Sequence, residues 1–243
     1  MEHHLEPAPD ILAPKPPPAL NVPGVVLAFG AAFLLVHLYV SQWLDAAALP
    51  DFLARFAFVP AFYGVDPERL PHAAARFWSP VTYGFLHGDW VHLAVNSVWL
   101  LAFGSPVARR FGAPRFVVFT LAGFAAGAGA HYAVHADELV PLVGASGAVS
   151  AYFGAAARFA LRPGGLASNR ALTRPALTLA QTLSTRSTLI FIVVWLAINW
   201  VAGSGVVPLG PEGEGGIAWE AHVGGFALGL LGFRLFDPRR QPV

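Results

Sequence analysis

The sequence predicts an all-α membrane protein, built as a bundle of six transmembrane helices. Hydrophobic residues make up 56% of the 243 and charged residues only 12%, whereas soluble domains carry about 25% charged residues. The mean hydropathy is +0.57. The charged residues fall in short stretches between long apolar runs, as expected where about 20 apolar residues cross the hydrocarbon core. The chain has no cysteine, which excludes disulfides, thiol catalysis and cysteine-ligated metals.

Six apolar runs define the predicted helices, in order along the chain. They cover about 23–43, 90–105, 116–134, 144–161, 188–203 and 217–236. The second and fifth are short for a full crossing, so we expect Trp90 and Trp200 to lie at the membrane interface. Residues 1–22 are rich in proline and charge, which predicts a disordered tail and not a secretory signal. The predicted organisation is therefore the tail 1–22, a transmembrane domain 23–236 and a second tail 237–243.

The basic residues predict the orientation. With a cytoplasmic N-terminus, twelve of the fifteen Lys and Arg residues lie inside, and only Arg55, Arg69 and Arg76 lie outside. Basic loops resist translocation, so both termini are predicted to be cytoplasmic in a multi-pass protein of the cell (inner) membrane. Topology and the lipid bilayer then account for the arginines, which argues against nucleic acid as a partner. The long segment 44–89 is an outside connection, and connections of that length usually have a function or structure of their own.

Four polar residues share one depth in the predicted membrane. No Asp or Glu falls deep inside a span, so no buried acid suggests ion coupling. The second, fourth and sixth spans all run inward, and each has polar residues within its first two turns: His92, Asn96, Ser146 and His222. These lie within about 10 Å of the outer helix ends. His92 and Asn96 are also spaced i, i+4, which places them on one helix face.

Strips of small residues predict which spans pack together. His222 is followed by Gly225 and Gly229 on one face of the sixth span. The fourth span carries a matching strip, Ser146, Ser150 and Gly154. Such strips let membrane helices approach to backbone contact. If these two spans pack on their strips, Ser146 meets His222.

The chemistry expected of this meeting is acyl transfer by a serine. A serine hydroxyl becomes a nucleophile when a histidine within hydrogen-bond reach takes its proton. The oxyanion that follows needs donors, and the unpaired N–H groups of a helix start provide them. Gly144 and Gly147 leave room for a substrate backbone. Glu220 points to nearly the opposite helix face from His222, so the predicted site is a dyad without an acid.

Each of these candidate residues also has a purely structural interpretation. A serine between glycines also suits helix packing, and a lone His222 or a His92–Asn96 pair also suits hydrogen bonding between helices. His37, His131 and Asn199 fit no constellation, and we expect them to form interhelical hydrogen bonds or lie at the interface. His87 lies at the predicted outer mouth and would stabilise that loop.

Three segments together resemble a known family, the rhomboid intramembrane serine proteases. They are FLHGDWVHLAVNSVWLLAFG in the second span, GASGAVSAYFG in the fourth and AHVGGFALG in the sixth, in the family's order. The resemblance implies that Ser146 is the nucleophile and His222 its base. His92, Asn96 and the Ser146 backbone N–H would form the oxyanion hole, and Gly225 with Gly229 the contact to the serine helix.

The resemblance also implies a reaction and its partners. A rhomboid-like bundle would cleave single-span membrane protein substrates near the outer face, without a cofactor or metal. Segment 44–89 would be the membrane-embedded first loop, and the fifth span the candidate lateral gate. Where many relatives carry an aromatic ring, this chain has Ser150, which leaves support of the histidine to Tyr152, Phe153 or another helix. The alternative is a catalytically inactive relative that binds membrane clients. A channel or transporter would show intramembrane charge or an inverted repeat, and neither is seen.

Overall fold

The computed structural model describes residues 22–161, 172–204 and 217–239, and helices dominate these ranges. The α-helices are α1 Gly24–Leu38, α2 Leu49–Phe56, α3 Ser79–Thr82, α4 Trp90–Trp99, α5 Ser105–Phe111, α6 Ala113–His135, α7 Ser146–Phe159, α8 Leu179–Ser184, α9 Arg186–Gly203, α10 Trp219–Leu231 and α11 Phe233–Phe236. π-Helical turns extend α1 through Tyr39–Trp43 and join α4 to α5 through Leu100–Gly104. The predicted N-terminal tail lies outside the described residues except for Val22.

Four of the described helical stretches are long and apolar enough to cross a membrane. They are Gly24–Trp43, Trp90–Phe111, Ala113–His135 and Arg186–Gly203. The chain is thus a multi-pass, all-helical membrane protein. The second stretch was predicted to be short but has 22 residues. The π-helical turn continues the helix into α5, and Pro106 lies in the first turn of α5, where a missing N–H is tolerated.

The fourth and sixth predicted spans are shorter than those four. Helix α7 has 14 residues and α10 has 13, so each extends only about 20 Å. Helix α10 ends at Leu231, and α11 begins after Gly232. Every residue of α7 after Ser146 is buried. The helix that begins with the candidate serine is therefore the centre of the bundle, with α6 and α10 packed against it.

A buried ion pair holds the end of the bundle opposite Ser146. The Arg110 guanidinium donates to Asp237 at 2.8 and 3.1 Å, and the Arg110 side chain is wholly buried. Arg158, also buried, donates to Leu177 O and Leu230 O. These two arginines thus join helix ends. Asp237, predicted to begin the second tail, is buried here.

The connection 44–89 has structure of its own and is fastened to the bundle. It contains α2, α3 and several 3₁₀ turns. Thr82 Oγ1 donates to Phe56 O at 2.8 Å, and Trp78 Nε1 to Arg55 O at 2.7 Å. An antiparallel bridge pairs Phe58 with Leu142. This bridge anchors the loop that leads to Ser146.

Candidate active site

Ser146 is the first residue of α7, at the end of a turn that requires glycine. Gly144 has φ +115°, which an L side chain rarely adopts. Its N–H donates to Tyr83 O at 3.0 Å, so the connection 44–89 fixes the turn. Helix α7 has no side-chain cap hydrogen bond among the described residues. The N–H groups of its first turn, with the positive end of the helix dipole, are therefore available to an anion beside Ser146.

The His92 ring lies against this turn. A Cβ built on Gly144 would be 2.5 Å from His92 Nε2, so glycine is required there for space as well as for conformation. Asp89 begins α4 by accepting from the His92 N–H at 2.8 Å, which fixes where the histidine enters the helix. The structure thus places His92 beside the start of α7.

Asn96 lies one turn deeper on α4 and is almost fully buried. Its Nδ2 donates to His92 O at 3.0 Å, within its own helix. One of the two amide hydrogens is therefore engaged, and the other is left for a ligand. His92 and Asn96 lie on one helix face, but the structure brings His92 closest to the serine turn.

Helices α7 and α10 touch through their backbones. A Cβ on Gly225 would lie 1.9 Å from Gly147 O, and a Cβ on Gly229 would lie 2.0 Å from Ala151 O. A Cβ on Gly154 would lie 2.3 Å from Phe226 O. Only glycine fits at these positions without moving a helix. The contact starts one residue after Ser146.

His222 lies one turn before Gly225, at the head of this contact. Its Nδ1 is 2.5 Å from Asn199 Oδ1 on α9. Asn199 Nδ2 donates to Trp195 O at 2.7 Å, which fixes the amide orientation so that Oδ1 is the acceptor. The ring proton of a neutral His222 is then on Nδ1, and Nε2 remains as an acceptor.

Asn199 is the main residue whose role the sequence did not reveal. An interhelical hydrogen bond was predicted for it, but no pattern indicated that the partner is His222. The two are separated by a segment whose path a sequence does not define. The site therefore contains a third group that orients the histidine, an amide and not an acid.

Tyr83 was also missed. Its hydroxyl is buried and donates to Phe124 O at 2.9 Å. A Cβ on Gly147 would lie 2.8 Å from the Tyr83 hydroxyl oxygen, and a Cβ on Gly127 would lie 2.7 Å from the same oxygen. The Tyr83 carbonyl also accepts the Gly144 N–H, so this tyrosine supports the serine turn from two sides. In the sequence it was one aromatic residue among many in the connection 44–89.

The expected aromatic support of His222 is not given by the residues that follow Ser150. Tyr152 Oη is 2.7 Å from Thr120 Oγ1, and Phe153 stacks on Phe103 with ring centroids 4.0 Å apart. Both rings therefore belong to the packing of α7 against other helices. Ser150 itself is buried. The orientation of His222 depends on Asn199 instead.

Two more histidines lie near His92, while His131 lies elsewhere. His37 Nδ1 is 3.2 Å from His87 O, and the His87 and His92 ring centroids are 5.2 Å apart. Burial lowers the pKa of His87 to about 3, so this residue adds no positive charge near neutral pH. His131 faces Glu220 on α10, with its Nδ1 3.8 Å from Glu220 Oε2.

Comparison with known proteins supports the same family. The rhomboid domain model matches residues 74–237. RHOMBOID-like protein 4 of Arabidopsis thaliana is 28% identical over 88% of this chain and 52% of its own length. Rhomboid-related protein 3 of Homo sapiens is 31% identical over 70% of this chain and 40% of its own length. Rhomboid protease GlpG of Serratia proteamaculans is 28% identical over 68% of this chain and 50% of its own length.

This chain spans about half the length, or less, of these relatives. The matched domain contains α4, α7 and α10 in full, with the serine and histidine positions described above. The matched region covers well over half of the chain. The chain belongs to the rhomboid family.

Proposed function

We propose that this protein is an intramembrane serine endopeptidase in which Ser146 and His222 act as a dyad. The observation that carries the proposal is the backbone contact between α7 and α10. Gly147 and Gly225 approach too closely for any side chain, and Ser146 and His222 lie at the same end of that contact. Packing alone does not require a hydroxyl and an imidazole at the head of two touching helices.

The proposed reaction begins with proton transfer from Ser146 Oγ to His222 Nε2. The oxygen attacks the scissile carbonyl carbon, and the carbonyl oxygen becomes an oxyanion. N–H groups at the start of α7 and the His92 side chain stabilise that charge. The proton then passes from His222 to the departing amine as the C–N bond breaks. A water molecule hydrolyses the resulting acyl-serine by the same steps, which restores both side chains.

Asn199 would keep His222 in the tautomer that this reaction needs. Its Oδ1 accepts from Nδ1–H, which stabilises the imidazolium formed after proton transfer. A neutral amide does so less strongly than a carboxylate, because it offers a dipole and not a charge. The proposed site therefore functions without an acid.

The proposed substrates are single-span membrane proteins, cleaved near the outer face of the cell (inner) membrane. Ser146 and His222 lie at the first and fourth positions of helices that the charge distribution directs inward. A peptide bond that reaches them enters from the outer side. Segments that unwind easily are the best substrates, because a helix hides its carbonyl groups.

The test uses co-expression with a tagged single-span substrate and labelling with a fluorophosphonate probe. The wild-type protein should cleave and be labelled, and Ser146→Ala should do neither. His222→Ala should lose labelling, because the serine then has no base. Ser150→Ala is the matched control, since it removes a buried hydroxyl one turn away on the same helix. Labelling that persists in Ser146→Ala would refute the assignment.

One observation favours a second candidate, a catalytically inactive member that binds membrane clients. The hydrogen bond that His222 makes goes to Asn199 and not to Ser146. Catalytic hydrogen bonds often form only with substrate present, so this geometry suits an enzyme at rest as well. A wild-type protein that captures a single-span client without cleavage or labelling would favour this candidate.

A further inference from the structure

A group of metal-ligating side chains lies outside the proposed dyad. We propose that His131, His135 and Glu220 bind a divalent transition-metal ion of the zinc class. The two histidines are spaced i, i+4 at the end of α6, and Glu220 is the second residue of α10. Ion binding would therefore connect α6 to the helix that carries His222. The expectation of no metal came from the resemblance to the rhomboid family.

The ligand atoms are close enough to share one ion. His131 Nδ1 is 3.8 Å from Glu220 Oε2, and His135 Nε2 is 3.0 Å from Glu220 Oε1. All three ligand atoms lie within 4.8 Å of one another. Tetrahedral zinc holds ligands at about 2.0–2.2 Å, so its ligands lie about 3.3 Å apart. Small side-chain rotations bring the three atoms to that spacing.

Two buried atoms in this group have no hydrogen-bond partner. They are His131 Nδ1 and Glu220 Oε2, and the two side chains are only 8% and 10% exposed. A buried polar atom without a partner destabilises the folded protein. The two atoms face each other across 3.8 Å. A bound cation would satisfy both at once, which hydrogen bonding in the rest of the group does not.

Glu138 supplies the outer partner that metal-binding histidines usually have. Its Oε1 is 2.7 Å from His135 Nδ1, on the opposite side of the ring from the Nε2 that faces Glu220. A carboxylate there fixes the tautomer with the proton on Nδ1 and leaves Nε2 for the metal. His135 is 23% exposed, which gives the ion a path from solvent. Two imidazoles and one carboxylate leave a fourth position for water.

The metal would stabilise the start of α10. Glu220 lies two residues before His222, and α6 carries Gly127 next to the serine helix. An ion held by both helices would restrain the end of the bundle at which the proposed dyad lies. It would not take part in peptide hydrolysis, because Glu220 and His222 lie on nearly opposite faces of α10. Its effect is therefore on stability and ordering, not on the chemical step.

The test measures metal binding directly and without activity. The Ser146→Ala protein, purified in detergent with a tag that lacks histidine, is titrated with Co²⁺ and then with Zn²⁺. We expect one Co²⁺ per chain with the intense visible bands of tetrahedral coordination, displaced by Zn²⁺, and a higher Tm with either metal. Glu220→Gln and His131→Asn should each weaken binding at least about tenfold. Because this readout is independent of cleavage, failure of the metal site and failure of the proposed protease are distinguishable.

The matched control is His72→Asn. His72 also contacts a carboxylate, that of Asp51 at 2.5 Å, but it is not part of the three-ligand group. Binding should be unchanged in this variant. The proposal is overturned if the parent protein binds no Co²⁺ saturably. It is equally overturned if Glu220→Gln and His131→Asn both retain the parent affinity, since the ion would then bind elsewhere.

Discussion

Substituting Gly225 with alanine tests whether helix contact creates the proposed site. The added methyl group would lie 1.9 Å from Gly147 O, while ordinary contact begins at 3.4 Å. The helices must therefore separate locally by about 1.5 Å. The atom that the methyl group meets is the backbone oxygen of Gly147, the residue directly after Ser146. Moving this backbone displaces the serine relative to His222. A displacement of about 1 Å can cost about 100-fold in rate, and we expect at least that loss for Gly225→Ala.

The assay compares initial cleavage rates of a tagged single-span substrate in detergent with the Tm of the same preparations. Overpacking should also destabilise the variant by about 1–3 kcal/mol, so rates are compared at a temperature where both proteins remain folded. Gly129→Ala is the matched control. It makes the same change on α6, where the added Cβ would meet nothing within 4 Å, and its rate should equal that of the wild type. A wild-type rate in folded Gly225→Ala would refute the reasoning.

Three further predictions concern groups that hold the site or the bundle. Asn199→Ala removes the acceptor from His222 and should lower the cleavage rate about tenfold, the equivalent of one hydrogen bond, whereas Asn199→Asp keeps an oxygen and should retain more activity. Tyr83→Phe removes the hydroxyl that donates to Phe124 O, while that carbonyl keeps its helical N–H donor, so the free energy of unfolding should fall by about 0.5–1.5 kcal/mol, measured by denaturant titration in detergent. Asp237→Asn deprives the buried Arg110 guanidinium of its carboxylate and should cost about 3–5 kcal/mol, with fluorophosphonate labelling of the folded fraction unchanged. Unaltered values in any of these would show that the contact concerned contributes little.

The helical membrane fold followed from composition and periodicity because lipid imposes strong constraints. Only helices satisfy every backbone group within a single apolar run, so such runs predict both element type and approximate limits. Positions within a helix also follow from spacing alone. Sequence spacing therefore placed His92, Ser146 and His222 near helix starts, and they are the third, first and fourth residues of α4, α7 and α10.

Contacts between distant segments were not accessible in the same way. The Asn199–His222 hydrogen bond depends on how α9 is rotated against α10, and apolar faces toward lipid and toward protein look alike in sequence. Apolar residues lie on every side of α9, so its sequence does not indicate which face packs against the other helices. Tyr83 reaches the serine turn through a loop without periodicity. The group of His131, His135 and Glu220 was missed for a related reason, since no residue of the three indicates a metal site until α6 and α10 are side by side.

The two side chains of the proposed dyad are held in different ways, and this difference bears on how a substrate would enter the proposed site. Backbone contacts at Gly147 and Gly225 position Ser146, and they yield only if whole helices move. The orientation of His222 depends on one hydrogen bond from α9, a helix whose other faces leave Ile198 and Trp200 exposed. Trp195 also stacks on Phe226 of α10, with ring centroids 4.5 Å apart. Movement of α9 to admit a substrate helix would separate Asn199 from His222 while Ser146 stays in place. The base would then be oriented only when α9 returns, so that substrate entry and proton transfer occur in sequence.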